Sequence, residues 1–430
     1  MDMDMKITRE EFEAAGDPTA GDPIGLFMQG IRSEQTKTYY TRMLRRVLCD
    51  IMEDVLDGTF EQRAGQLVRM ALDEPGRTLG LMLHISRKLR ERTELPHDHP
   101  DYVNPSSVRN YFNPIKKLFY MNNVPMQWKR VHSTWPEHDN MVESRGWERR
   151  EILLMLGHAR SLRNRALILV AASSGIRVGG FELLKWSDLR PVYMDARGKP
   201  VFDDVAGDRG NGSERTPACA MLTVYGRTSS SYPAFITPEA HAALMEYRGA
   251  RERRTGVRPG PDEPMFQAWR EDGRPAAVGV HAVQETVKRI AVAAGLRDPG
   301  RKKYRRQYDV PIMNGFRRFW NKTCKESMSK ESALSSLIKK EYMMGHVGLV
   351  SLDRNYFKTH VLELAEEYLQ SVPALTIDDA ERLRLENKQQ ARRIGVMKDE
   401  RDTEIAALKR TVEEMAKRME NMAKGRDGPS

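Results

Sequence analysis

Four side chains lie far apart in the sequence but could handle a phosphate together. They are Arg177 in "AASSGIRVGG", Arg317 in "NGFRRFW", His346 in "MMGHVG" and Tyr356 in "LDRNYFK". Two guanidiniums can grip a phosphate bidentately and neutralise charge building on it. A phenol can attack that phosphorus and form a covalent link. An imidazole can hydrogen-bond a non-bridging oxygen or help manage the nucleophile's proton. Each residue alone has an ordinary explanation: a helix cap, a surface charge, a core histidine and a packed aromatic. Together they have the logic of phosphoryl transfer without a metal.

Other chemistries lack their residues. There is no Walker P-loop, no GxGxxG after a strand, no HExxH and no GxSxG elbow. "HDH" at 97–99 sits in a Pro-rich connector without further ligands at metal spacing. Asp203 and Asp204 are adjacent, so in an extended segment they point apart. They read as a solvated turn rather than a two-metal pair.

The elements that must position these residues are mostly helices. In "IMNGFRRFWNKTC" (312–324), Phe316, Phe319, Trp320 and Thr323 recur at i, i+3, i+4 and i+7. That spacing predicts an amphipathic helix whose first turn carries Arg317 and Arg318 behind an Asn-Gly. Further helices are expected at 147–157, 161–173, 178–185, 279–294, 331–344 and 361–370. "TPEAHAALMEYRGARER" opens with a Thr-Pro-Glu helix start. "AMLTVYG" (220–226) and "SYPAFI" (231–236) predict a β-hairpin with a polar tip, after a loop insertion at 207–213. Together 144–377 reads as one mainly helical domain with a small antiparallel sheet.

Ahead of it, residues 1–30 read as a tail with Gly and Pro breakers, and 31–123 as a small helical domain. Ser33 can cap a helix whose inward face is Tyr40, Met43, Leu44, Val47, Leu48 and Ile51. A later helix turns Val108, Tyr111, Phe112, Ile115, Leu118 and Phe119 inward, with Pro114 expected to bend or interrupt it. Residues 124–143 read as a linker. From 378 to 424 the chain has no Pro, and Ile405, Leu408, Val412, Met415, Met419 and Met422 recur at spacings of 3 and 4. Ala380, Leu383, Asn387, Gln390, Ile394 and Met397 continue that seam upstream, across an 11-residue stutter. A coiled coil is expected, within one assembly or with a partner, and a single solvated helix is the other reading.

Lys and Arg outnumber Asp and Glu by 70 to 60, and the two densest basic runs are 248–254 and 301–308. This favours a polyanionic partner. No run approaches the ~18 apolar residues of a membrane span. The polar N-terminus is unlike a signal peptide. Three well-separated cysteines suit a reducing compartment. A cytoplasmic protein is expected.

At this point a family resemblance becomes definite. "SSGIRVGGFELLKWSDL" resembles the first arginine box of the tyrosine recombinase (phage-integrase-like) family, with Arg177, Trp186 and Asp188 at the expected intervals. "NGFRRFW" falls where the family's HxxR belongs, "MMGHVG" resembles its LGHxS, and Tyr356 follows His346 by ten residues, as the nucleophile should. "LTVYGRTSSSYPAFITPEA" resembles the family's hairpin. "GFRRFWNKTC", "YPAFITPE" and "LAEEYLQSVPALTID" are most similar to integrases of archaeal, particularly thaumarchaeal, mobile elements. The match covers about 31–377.

The resemblance implies a helical core-binding domain at 31–123 and a recombinase catalytic domain at 144–377, clamping duplex DNA as a C. It implies attack by Tyr356, a 3′-phosphotyrosine link and a free 5′-hydroxyl, with no metal, ATP or other cofactor. Arg177 and Arg317 would hold the phosphate, His346 would assist, and the protein would work in the nucleoid as a homo-oligomer, a tetramer on synapsed DNA. The two basic runs would contact backbone phosphates, and Trp186 and Phe316 would support the site from the core. Three positions depart from the pattern. Gly180 stands where an acidic residue is usual, with Glu182 two positions later. Arg227 stands at about the place of the hairpin lysine that protonates the leaving oxygen, with Lys199 a weaker substitute. Asn314 replaces the HxxR histidine; its amide donates a hydrogen bond but cannot shuttle a proton. A DNA-binding descendant without catalysis, a type IB topoisomerase and an unrelated coiled-coil protein are the alternatives.

Overall fold

A computed structural model describes residues 9, 22–137, 144–202, 216–269, 275–298, 308–327, 333–346, 357 and 360–424. These fall into two compact units, one within Met1–Glu143 and one within Ser144–Ser430. The fold is mainly helical with a small antiparallel sheet, the class that the periodicities imply. No helix among the described residues is long and apolar enough to cross a membrane.

The first unit is helical: α1 (Pro23–Gln29), α2 (Glu34–Arg45), α3 (Phe60–Asp73), α4 (Pro75–Thr93), α5 (Val108–Met121) and α6 (Trp128–His132). Ser33 caps α2 through the Thr36 N–H, and a π-helical turn over Arg46–Ile51 extends it. The six residues expected to face inward from α5 are all buried. Pro114 lies within α5 without ending it.

Two stretches differ from the sequence reading. Part of the expected tail is α1, whose Phe27 is fully buried; Asp22 caps it, and Asn122 Nδ2 donates to the Pro23 carbonyl. Part of the expected linker is α6. Val131 is buried, Trp135 packs 5.4 Å from the Phe112 ring, and the Thr134 and Ser86 hydroxyls share a hydrogen bond. In each case the apolar side chain removes enough area from water to fix a short segment that lacks a periodic pattern.

The second unit is built around α8 (Leu162–Ser174), in which every residue from Ala166 onward is buried. A helix apolar all round belongs at a core centre. Around it lie α7 (Arg149–His158), α9 (Val178–Leu183), α10 (Pro238–Thr255), α11 (Val280–Ala293), α12 (Ile312–Ser327), α13 (Ala333–Met343) and α14 (Val361–Leu375). The sheet has four antiparallel strands: β1 (Leu189–Met194), β2 (Pro200–Phe202), β3 (Cys219–Val224) and β4 (Tyr232–Ile236), in the order β2-β1-β3-β4. The expected hairpin is β3–β4, with Val224 opposite Tyr232. A second small sheet pairs β5 (Gln267–Trp269) with β6 (Pro275–Ala277).

The last helix, α15 (Asp379–Lys424), runs 46 residues. Its start is tied down: Leu385 packs against the core of the second unit, and the Glu239 carboxylate accepts the Ile377 and Asp378 N–H groups just before it. Farther on, Ile394, Met397, Ile405, Leu408, Val412 and Met415 are all exposed. Among the side chains described, the expected seam is therefore presented to solvent along a single helix.

Candidate functional site

Arg317 stands on the first turns of α12, and the packing explains its unusual neighbours. Met313, Phe316, Phe319 and Trp320 bury the apolar stripe. Trp147 lies over the start of the helix, its indole N–H on the Ile312 carbonyl at 2.9 Å and its backbone N–H on the Gly315 carbonyl. A Cβ at position 315 would come within 2.6 Å of the Trp147 ring, so the Asn-Gly is a packing requirement. The helix can then carry Arg317 inward, leaving it 8% exposed, while Asn314 and Arg318 stay on the exposed side.

The guanidinium of Arg317 rests in a cradle of backbone oxygens. Nη1 donates to the Gly175 carbonyl and Nη2 to the Met344 carbonyl, both at 2.8 Å. Gly175 ends α8 in the left-handed region (φ +59), where Trp320 leaves a Cβ only 2.9 Å of room. Two residues on, Arg177 opens α9 with an extended backbone, and its Nη1 reaches the Gly345 carbonyl at 3.2 Å. The chain reversal at Gly175 thus brings two arginines 140 residues apart against the same short stretch, 344–346.

His346 joins the cluster. Its Nε2 lies 2.8 Å from Arg317 Nη2, and its Nδ1 meets the Glu341 carboxylate. A guanidinium has only donors, so Nε2 must be the acceptor and Nδ1 must carry the proton donated to Glu341. Glu341 therefore sets the tautomer, and His346 steadies Arg317. Burial pushes the Arg317 guanidinium down, and the like charge of Arg177 adds to this. Among the described residues neither arginine forms an ion pair with a carboxylate.

One residue of the cluster is absent from the sequence reading. Tyr232, the first residue of β4, is 5% exposed and lies against Arg317 and Arg177. Its hydroxyl lies close to Arg317 without well-aligned hydrogen-bond geometry, and its proton has no acceptor among the described residues. Burial holds this phenol up at about 12. A single aromatic at the start of a strand carries no spacing signal, which is why Tyr232 reads only as core. Glu341, in the last turns of α13, went unnoticed for a similar reason.

The remaining expected residues are placed differently. Arg227 sits in the β3–β4 turn with φ +68, and its guanidinium is paired with the buried Asp188 at 3.2 and 3.4 Å. Lys199 is exposed in the β1–β2 turn, with its N–H on Asp195, and no contact links it to the arginines. Gly180 is buried beneath β3, where a Cβ would meet Val224 at 3.0 Å, so a larger side chain there would crowd that valine. Trp186 and Phe316 are core residues, as expected. Half of the basic run 248–254 turns inward instead of toward solvent. Arg251 is buried on Glu263 at 2.7 Å, and Arg248 lies over the Trp186 ring and donates to Pro259. His97 and His99 belong to no metal-binding cluster among the described residues. Tyr356, Asp203, Asp204 and 301–307 lie outside the described residues.

No protein-family model matches the chain, and no curated protein matches it. Several solved structures resemble it. XerA recombinase is 13% identical over 83% of this chain and 98% of its own, with a TM-score of 0.31. A lambda integrase tetramer bound to a Holliday junction is 13% identical over 80% of this chain and 82% of its own, with a TM-score of 0.39. The Tn1549 transposon integrase in complex with circular intermediate DNA is 12% identical over 76% and 99%, with a TM-score of 0.38. At such values we rest function on the site itself.

Proposed function

We propose that this protein is a site-specific DNA recombinase, an integrase that cuts and rejoins duplex DNA through a tyrosine–phosphate link. The observation that carries this reading is the pair of adjacent guanidiniums, held by the carbonyls of Gly175, Met344 and Gly345 with no carboxylate counter-ion among the described residues. Two cations drawn together without an anion favour binding of one, and their forked geometry suits a phosphodiester.

In the proposed reaction the Tyr356 oxygen bonds to phosphorus as the bond from phosphorus to the 5′-oxygen breaks. The phenol gives up its proton and the 5′-oxygen gains one. A partner strand's 5′-hydroxyl reverses the step. The covalent link conserves the bond energy, so neither ATP nor a metal is required. Arg177 and Arg317 stabilise charge on the non-bridging oxygens. Asn314, exposed one turn before Arg317, donates to one of them. Arg227 interacts with the leaving oxygen once drawn from Asp188. The protein acts as a homo-oligomer, a tetramer on synapsed DNA, and the exposed seam of α15 pairs protomers as a coiled coil.

A nicked suicide duplex containing the crossover site tests this. Wild type is expected to give a covalent protein–DNA complex, and Tyr356→Phe none. One observation favours a second reading, a DNA-binding protein that has lost catalysis: Arg227 is neutralised by Asp188. Footprinted binding without any covalent product would establish it.

A further inference from the structure

We propose that the Tyr232 hydroxyl is a third hydrogen-bond donor to the scissile phosphate, completing the anion site begun by Arg177 and Arg317. The inference rests on the strand-transfer reading above and adds a catalytic residue to it.

Three observations converge. First, the hydroxyl is buried beside two guanidiniums, which can only donate to it, and its own proton has no acceptor among the described residues. A buried hydroxyl whose proton finds no acceptor is costly, and a phenylalanine of nearly the same shape would avoid that cost. A polar atom kept at that cost suits a ligand that uses it. Second, the residue is fixed by structure rather than by chance. Tyr232 pairs with Val224 across the hairpin, its ring packs 6.0 Å from Tyr225, and it supports Gly345 from below. A Cβ on Gly345 would come within 2.4 Å of the Tyr232 ring, and Gly345 has φ +67. Third, Gly345 belongs to the stretch whose carbonyls take the arginine donors. Phenol and guanidiniums therefore meet beneath the same three residues.

The chemistry suits a donor rather than a nucleophile. Burial raises the Tyr232 phenol to about 12, so near neutral pH it keeps its proton and can offer it to an oxyanion. The two arginines supply charge, and the buried phenol adds a directed bond.

The test is single-turnover cleavage of the nicked suicide duplex by wild type, Tyr232→Phe and Tyr356→Phe. Substrates carry a normal phosphodiester or either methylphosphonate diastereomer at the scissile position. Band shifts on intact duplex report folding and binding. A donor role predicts unchanged binding and a thermal midpoint equal to or above wild type. It also predicts cleavage slowed about 100-fold by Tyr232→Phe. That penalty should vanish on the diastereomer whose methyl group replaces the oxygen facing Tyr232. Unchanged cleavage by Tyr232→Phe overturns the inference while leaving the recombinase reading intact. An equal penalty on all three substrates also overturns it. A covalent adduct lost in Tyr232→Phe but kept in Tyr356→Phe would make Tyr232 the nucleophile and sink the donor role. No adduct with wild type at a footprinted site would overturn the recombinase reading and the inference together.

Discussion

Two places in the second unit gather arginine near a turn, and they treat the charge in opposite ways. At the end of α8 and the start of α12, Arg177 and Arg317 lie on backbone carbonyls, and the like charge of Arg177 pushes the Arg317 guanidinium down beyond the effect of burial. At the tip of β3–β4, Arg227 is matched by the Asp188 carboxylate, which also accepts the Lys185 N–H. Carbonyl dipoles orient a guanidinium without cancelling its charge, whereas a carboxylate does both. The first arrangement leaves positive charge for a ligand, and the second uses it within the fold. The sequence sets Arg177 and Arg317 apart from Arg227 only by resemblance, and the structure separates them by their partners.

The sharpest way to break this contrast is to remove one arginine at each place. Arg317→Ala should slow covalent-complex formation about 1000-fold. Arg227→Ala should slow it far less, and should lower stability by only about 0.5–1 kcal/mol, because that arginine is half exposed. Equal effects would erase the distinction. Gly345→Ala comes next. With φ +67 and the Tyr232 ring in contact, the added methyl should cost about 2 kcal/mol in urea unfolding and disturb both arginines. A neutral result would show that the 344–346 stretch does not press on Tyr232.

Lys340 supplies a control: a fully buried cation outside the cluster, whose ammonium has no partner among the described residues. Burial lowers it to about 8 from 10.5. Below about 8 both folded and unfolded chains hold the proton, and the full penalty is present. Between about 8 and 10.5 the unfolded chain binds more protons, so stability should rise with pH across that window. Lys340→Met should raise stability near pH 7 by about 1 kcal/mol and flatten this rise. Arg317→Ala should instead lower stability. Last, truncation after residue 390 keeps the anchored start of α15 and removes the exposed seam. Unit stability and single-site binding should hold while synapsis weakens. Equal loss of binding and synapsis would remove the coiled-coil proposal. Truncation after 377 is a poorer test, because it also takes away Leu385.

Much of this was legible in the residues themselves. The stripe in 312–324 forms the expected helix with Phe316, Phe319 and Trp320 buried, because a 3.6-residue period fixes which face is buried. The hairpin and the faces of α2 and α5 follow from the same kind of regularity. The missing parts lack it. β1 carries Pro191 and shows no clean alternation, and the sequence reading assigns no element there. α1 and α6 are too short for a pattern and are fixed by one or two buried side chains each. In the site, Gly180 looked like a lost carboxylate and proves to be a close contact with Val224. Arg227 stands at about the place of the hairpin lysine, and its pairing with Asp188 could not be read from the sequence. Tyr232 was hidden because its role depends on a strand neighbour, a distant glycine and two arginines that only tertiary structure assembles.

The most direct test is to map the residue joined to DNA after reaction with the nicked duplex, by mass spectrometry of the protease-digested adduct. The account predicts a phosphotyrosyl peptide containing Tyr356, lost in Arg177→Ala and Arg317→Ala and still detectable in Arg227→Ala. An adduct that forms as readily without Arg177 or Arg317, or that maps to another residue, would contradict it.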